Sequence, residues 1–555
     1  MENRLLLAFV LSLVVFVLWG WLVSTLQPPP PPKQAIIDKI PAAPGNKTPA
    51  PQAGTAETSP ASGTPETSAA VPAGQTESET VPTGGTTPSA PPVIVNISTG
   101  RATIQVSNRG GVIQSVLLNR FKNDDGTPVD LVNHVQGTSL PLAIESNEAE
   151  ITRILNNSYY TVSASSITLT PAAPEATLTL NLDTPGGLQV TRELTFHYDD
   201  FMIDVHTHIK NPGRAGENLQ YFIVWGPDLG GKVNSKTDYI VFSGPTTFVN
   251  NDRIETAPED IQDFVRLKGE VDWTAFQNKY FAAALLPESG TKGAIVKQEE
   301  DRNYVGLELE TVQGAADVKL KLYAGTKELQ ILENAGHKLI RILDYGWLGN
   351  KFAFLVKPML KFLQYFYEVF HNYGWAIIML TVIIKVLFFP LTHKSFKSMK
   401  GMQKIQPYVK IIQERNKDDR QKMNEEMLEL YRKHRVNPMG GCLPMVLQIP
   451  VFIALYHALF FSIELRGAPF ILWITDLSVA DPYYVTPIFM GLTMILQQRL
   501  TPSAMDPVQQ KIMMLMPIVF TFLFLTFPSG LVIYWTVNNL LTIAQQYYIY
   551  KVAKD

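Results

Sequence analysis

The side chains able to do chemistry lie in stretches of sequence otherwise suited to hydrocarbon: Lys385, Thr381, Gln448, Gln497, Tyr534, Trp535 and Asn538. Lys385 falls inside the apolar run Tyr373 to Thr392, YGWAIIMLTVIIKVLFFPLT. A run of about 20 such residues is long enough to cross a bilayer. An ammonium at that depth costs about several kcal/mol, which makes it a functional candidate by default. Two readings stand side by side. Lys385 lies seven residues before Thr392, roughly 10 Å along a helix, so its stem can snorkel toward the headgroups. Alternatively it charges a wet cavity. Thr381, one turn earlier on the same face, favours the cavity. A single amide in a span usually bonds a neighbouring helix; several of them with a charge suggest shared water. The chemistry this implies is hydration and charge attraction rather than bond making. The nine histidines form no HExxH spacing, there is no GxxxxGK[ST] loop, and Cys442 is the sole cysteine. No enzyme activity, metal or cofactor is therefore expected. Asp204, His206 and His208 read as strand-face residues rather than a catalytic set.

The elements that must position these groups follow from the apolar runs. The chain has 555 residues, 46% hydrophobic and 17% charged, with net charge -3. Residues 1–27 carry a long apolar run, Leu5 to Leu26, with Trp19 and Trp21 in its second half. This is expected to be an uncleaved anchor rather than a signal peptide. Residues 28–92, rich in Pro, Ala and Thr, are too poor in large apolar groups to fold and form a linker. Residues 93–325 alternate with period two in runs such as ATIQVSN, ATLTLNLD, LQVTRELTFHY, MIDVHTHIKN and ADVKLKLYAG. Turns are expected at Asp125-Gly126, Pro185-Gly186 and Gly230-Gly231. This pattern predicts a β-sandwich or an enlarged form of one. Residues 326–371 form a helical connection and an amphipathic helix suited to the membrane interface or to packing on the β domain. The second span is 372–392, and residues 439–550 hold four more. A short tail, 551–555, closes the chain.

Orientation comes from basic residues. Between 393 and 438 there are twelve Lys or Arg against six Asp or Glu, whereas Ser462 to Tyr483 has only Arg466. The first segment is thus cytosolic and the second outside. Alternation places both termini in the cytosol and the β domain beyond the membrane. Residues 393–438 read as an antiparallel helical hairpin, its second arm carrying Met423, Met427 and Leu430 and capped by Asp418 or Asp419. Pro407 should kink the first arm. The hairpin is either a solvated element with a basic face for anionic lipid or a docking arm for nascent chains or the ribosome. Fourteen of the sixteen methionines lie beyond residue 350, where flexible thioethers suit varied apolar partners as well as ordinary packing.

The segments NPMGGCLPMVLQIPVFIALYHAL, ELRGAPFILWITDLSVADPYYVTPI, DPVQQKIMMLMPIVF and FPSGLVIYW resemble the YidC/Oxa/Alb family of membrane-protein insertases. The anchor, linker and β domain resemble its Gram-negative branch. The resemblance implies a polytopic α-helical protein of the bacterial inner membrane with six transmembrane helices. Five of them form an insertase core around a hydrophilic groove, and a large periplasmic β-sandwich, the supersandwich, stands outside. It implies nascent membrane proteins, the Sec translocon, the phospholipid bilayer and the ribosome as partners, with no nucleic-acid binding beyond ribosome contact. Two departures stand out. Lys385 replaces the commoner arginine, losing its fork of donors, and Tyr534-Trp535 replaces a pair of tyrosines. A secondary transporter using Lys385 as an ion or substrate site is the alternative, and a scaffold for the translocon a third.

Overall fold

The structure is a computed structural model. It describes residues 92–549 except 124, 215, 232–240, 258–259, 262–263, 345–349, 417–418, 435, 437–442 and 501–506. The expected anchor at 1–27, nearly all of the linker, Asp418 and the tail at 551–555 lie outside the described residues.

The alternating runs fold as strands. Ala102–Ser107, Glu175–Asp183, Gln189–His197, Met202–Lys210 and Ala315–Thr326 occupy the runs that predicted them. Alternation works because successive side chains point to opposite faces: Gln189–His197 buries every second residue, including Leu194 and Phe196. A ten-stranded sheet packs against two five-stranded sheets. One core draws on all three, with Ile97 and Val106 from one small sheet, Leu194 and Leu322 from the large one and Ile223 and Leu307 from the other small one. Turns are present at the first two expected sites, and Gly231 at the third is a bend. Gly126 and Gly187 adopt the left-handed conformation. At Gly230 a Cβ would collide with the Asp130 and Val132 carbonyls, so only glycine lets the chain approach so closely. One helix inside the β region, α1 (Ala149–Asn157), had no counterpart in the sequence reading.

His206 sits on a sheet face, as expected. Its Nε2 lies 2.7 Å from Asp317 Oδ1, and His197 Nε2 lies 2.8 Å from Asp204. The acids and histidines are paired along neighbouring strands.

After the sheet comes α2 (Leu329–Asn334), then α3 (Ala353–Phe370). The latter buries Val356, Met359, Leu360 and Leu363 against the helical bundle while Phe354, Phe362, Tyr365, Val369 and Phe370 stay exposed. A helix that is apolar on both faces suits an interface between protein core and lipid. It turns at His371, whose positive φ breaks the helix. Asn372 then caps α4 (Tyr373–Arg415), accepting from the Gly374 and Trp375 amides. Gly374 leaves room for the Phe470 ring, which a Cβ would overlap.

Here two elements expected separately are joined. The predicted span 372–392 and the first hairpin arm are one helix of 43 residues. Neither Pro390 nor Pro407 interrupts it. A proline removes one hydrogen bond, but Ile405 and Val409 on either side of Pro407 are buried, and that packing holds the turn. The second arm is α5 (Arg420–Lys433), capped by Asp419, which accepts from the Gln421 and Lys422 amides at 3.1 and 3.0 Å. Met423, Met427 and Leu430 are half-buried on it. Asn416 donates to Glu426 at 2.9 Å across the turn.

The bundle is completed by α6 (Leu443–Phe461), α7 (Val485–Leu500), α8 (Pro507–Phe524) and α9 (Ser529–Tyr547). They fall on the remaining apolar runs and are 19, 16, 18 and 19 residues long. Among the described residues, only α4 is by itself both long and apolar enough to cross a membrane. The central helix, α9, packs on α4 and α7, while α8 packs on α7.

The loop between α6 and α7 is ordered by Asp481, which is almost fully buried. It accepts from the Thr486 amide and hydroxyl at 2.7 and 2.8 Å, the Tyr483 amide at 2.9 Å and Trp473 Nε1 at 3.1 Å. Burial pushes its carboxyl up, but those donors outweigh it and hold the group below its usual 3.8. The contribution is therefore complete above the ordinary carboxylate range and is lost only as pH falls through the lowered value. Asp481→Ala should destabilise the loop by about 2 kcal/mol, through the lost cap and the unpaired donors. A drop in thermal midpoint at pH 7, smaller for Asp481→Asn, is the expected measurement.

Candidate functional site

A cavity of about 450 Å³ opens between α4, α6, α7, α8 and α9. From α4 it receives Lys385, Thr392 and Ser395; from α6, Gln448 and Phe452. Gln497 and Gln498 of α7, with Met513 and Met516 of α8, form another side. Tyr534, Trp535, Asn538, Thr542, Gln545 and Gln546 of α9 run down the remaining wall. These α9 residues recur at three and four, so one helical face is polar along its length.

The polar wall is held by hydrogen bonds between helices. Lys385 Nζ donates to Thr542 Oγ1 at 2.8 Å. Thr542 in turn donates to the Asn538 carbonyl at 2.6 Å, which leaves its oxygen lone pairs for the ammonium. Gln448 Nε2 donates to Asn538 Oδ1 at 3.0 Å, and Gln545 Nε2 to Thr392 Oγ1 at 2.6 Å. Asn539 Nδ2 donates to Thr493 Oγ1 at 3.1 Å. None of the lining residues is acidic. Lys385 is thus a charge answered by a neutral hydroxyl.

Of the residues singled out from sequence, Lys385, Gln448, Gln497, Tyr534, Trp535 and Asn538 line this cavity. Thr381 does not. It is 1% exposed, and its hydroxyl donates to the Ile377 carbonyl of its own helix at 2.6 Å. Threonine in an apolar helix satisfies itself this way whenever no wet surface is in reach. Trp535 is edge-on to Phe452 with centroids 4.8 Å apart, and Phe524 lies 5.3 Å from it, so the lining there is an aromatic wall. Thr392, Ser395, Thr542, Gln545 and Gln546 were not picked out from the sequence. Their signal was the three-and-four spacing of polar residues toward the C-terminal ends of α4 and α9.

The two ends of the cavity differ. Toward the hairpin it reaches Phe396 and Met399 of α4. At the opposite end, Ile377, Leu380, Leu465, Leu477 and Leu531 are all buried. Gly530 sits among them, donating its amide to the Leu477 carbonyl at 3.0 Å. That apolar layer lies on the side where the β domain stands. There Arg466 lies over the Tyr280 and Phe281 rings and Lys279 Nζ sits 3.9 Å from the Phe460 ring centre.

A helical bundle around a polar cavity, joined to a folded β domain beyond an apolar layer, fits a membrane protein with an extramembrane domain. Comparison with known proteins makes this specific. The family described as 60Kd inner membrane protein matches residues 365–555, and the YidC periplasmic domain matches residues 94–362. The membrane protein insertase YidC of Geobacter sulfurreducens is 42% identical over 80% of this chain and 84% of its own length. That of Geobacter metallireducens is 39% identical over 99% and 98%, and that of Syntrophus aciditrophicus 37% identical over the whole of both chains. The chain belongs to the YidC family of membrane protein insertases, inner-membrane proteins with a periplasmic domain.

Proposed function

We propose that the protein inserts membrane proteins by admitting the polar flank of a client segment into the Lys385 cavity. The supporting observation is a charge with no acidic partner: Lys385 is bonded to Thr542 in a cavity lined without a carboxylate. A polar tail halfway through hydrocarbon would otherwise leave its backbone groups unsatisfied, at a cost of about several kcal/mol each. Water and amides along α9 supply partners for them. The client's apolar segment then leaves into lipid, driven by burial of its surface at about 25 cal/mol per Å².

In this reading α4, α6, α7, α8 and α9 are five spans, and residues 1–27 supply a sixth. Both termini and the hairpin lie in the cytosol, and residues 93–325, the supersandwich domain, in the periplasm. The apolar layer faces the periplasm and the hairpin end of the cavity faces the ribosome side. Substrates are nascent membrane proteins, taken alone or with the Sec translocon. The test is purified full-length protein in liposomes without nucleotide. A small client with a short acidic tail should insert. A solute accumulating while the client stays outside would replace this proposal with a transporter.

The hairpin is proposed to receive nascent chains before they reach the cavity. Replacing Met423, Met427 and Leu430 together with serine should loosen its second arm. Crosslinking to ribosome-bound nascent chains should fall about fivefold, the effect of about 1 kcal/mol, with the bundle still folded. Unchanged crosslinking would remove the hairpin from the capture step.

A further inference from the structure

A second cavity, about 540 Å³, lies outside the bundle, between the β domain and the membrane-proximal helices. The end of a β strand contributes Arg120 and Lys122, the turn between α3 and α4 contributes His371 and Tyr373, and the loop after α6 contributes Glu464 and Arg466. Asp476 also borders it.

The charges in this cleft are unequally satisfied. Glu464 accepts from the Ser462 hydroxyl at 2.6 Å and from Gln364 at 3.4 Å. Asp476 accepts from the Ser478 amide at 2.7 Å. The three cations differ. Among the described residues, neither Arg120, Lys122 nor Arg466 forms an ion pair. Arg466 Nη1 is buried without a hydrogen-bond partner, its Nη2 reaches only the Lys122 carbonyl at 3.4 Å, and its plane is held by the Tyr280 and Phe281 rings. A guanidinium fixed in orientation, beside two exposed cations that form no ion pair, suits a phosphate or carboxylate.

Its location narrows the choice. The cleft opens at the α3–α4 turn, near the exposed Phe370 of α3 and Trp375 of α4, while Phe362, Tyr365 and Val369 are exposed on the opposite face of α3. Aromatic side chains of this kind sit at the headgroup level of a bilayer, and the exposed apolar side chains of α3 can meet acyl chains.

We propose that this cleft binds the phosphodiester of a phospholipid headgroup, with Arg120, Lys122 and Arg466 as its ligands and exposed apolar side chains of α3 against the acyl chains. The site would tie the β domain to the lipid surface next to the apolar layer of the bundle. It is independent of how clients enter that cavity.

The test uses full-length protein in a non-ionic detergent and three probes: dioctanoyl phosphatidylglycerol, dioctanoyl glycerol and inorganic phosphate. Binding is followed by thermophoresis. The phosphatidylglycerol should bind, and Arg120→Gln with Lys122→Gln should weaken it at least about tenfold, equivalent to about 1.4 kcal/mol. Both side chains are exposed, so this variant keeps its fold; Arg466→Lys provides a second variant that retains charge but loses the fork. Dioctanoyl glycerol should not compete. Equal binding of phosphatidylglycerol by wild type and the double variant overturns the site. Inorganic phosphate binding as tightly as the lipid overturns the lipid assignment.

Discussion

Lys385→Arg should insert an acidic-tailed client about as well as the wild type, Lys385→Ala about tenfold less well, and Lys385→Glu less well still. The order follows from what faces the ammonium. Its partner is the Thr542 hydroxyl, and the cavity lining contains no acid. An aspartate entering the cavity therefore meets an uncompensated positive charge. At an effective dielectric of about 20, opposite charges about 4 Å apart attract by about 4 kcal/mol, of which desolvation cancels a large part. A net of about 1.4 kcal/mol gives the tenfold figure. Arginine preserves charge and can still donate to Thr542. Glutamate reverses the sign and turns attraction into repulsion. A hydration-only role predicts instead that glutamate works as well as arginine. The measurement is insertion of one client bearing zero, one or two aspartates, at matched expression. Equal activity of the glutamate and arginine variants on the two-aspartate client would rule out charge attraction.

The stability of the β domain should rise between pH 7 and pH 9, and Lys327→Met should abolish the rise. Lys327 follows the last strand of the ten-stranded sheet and is 7% exposed. Its Nζ donates to Gln277 Oε1 at 2.8 Å and to the Asn278 carbonyl at 3.0 Å. Burial, reinforced by the nearby Arg253, lowers the amine from 10.5 to about 7, against the pull of Asp344 and Glu255. In the unfolded chain the group keeps an ordinary lysine value. Above about 7 the folded form is neutral while the unfolded form is still protonated, so unfolding takes up a proton. Raising pH then disfavours unfolding, by at most about 1.4 kcal/mol per pH unit. For a domain of this size that is a rise of about 3–5 °C per unit. The buried Trp225 and Trp273 report the transition by fluorescence in the full-length protein. A wild-type midpoint that stays flat over this range would contradict the lowered amine.

Much of this architecture is legible in the residues themselves. Period-two runs marked the strands because a half-buried sheet forces alternation. The apolar runs marked α6 to α9 because a lipid-facing helix needs them. Lys385, Gln448 and Asn538 were visible because polar groups are costly in such runs. Other features were hidden for identifiable reasons. The continuity of α4 past Thr392 could not be read, since the chain there changes solvent without changing conformation. Thr381 looked like part of the polar face, but a hydroxyl can bond its own helix and leave no trace in the spacing. Thr542 and Gln545 were missed because each is unremarkable alone and acquires meaning only opposite Lys385 and Thr392. The Arg466 cleft depends on contacts between residues hundreds of positions apart, such as Lys122 and Arg466, which no local pattern encodes.

The unbroken α4 has a mechanical consequence. Its 43 residues make a rod about 65 Å long at 1.5 Å per residue, about twice the hydrocarbon thickness of a bilayer. Lys385 is twelve residues from its capped end at Tyr373, and the hairpin turn is at the far end. The near end is pinned by Asn372, which donates to the Phe470 carbonyl at 3.0 Å, and by the contact of Gly374 with the Phe470 ring. Further along, the helix is also held at Lys385 and Thr392 by Thr542 and Gln545 of α9, so a load placed on the hairpin acts on the arm beyond Thr392. Bending is then concentrated between Thr392 and the hairpin turn, so the tip can be displaced by a bulky cargo while the charge in the cavity stays against α9.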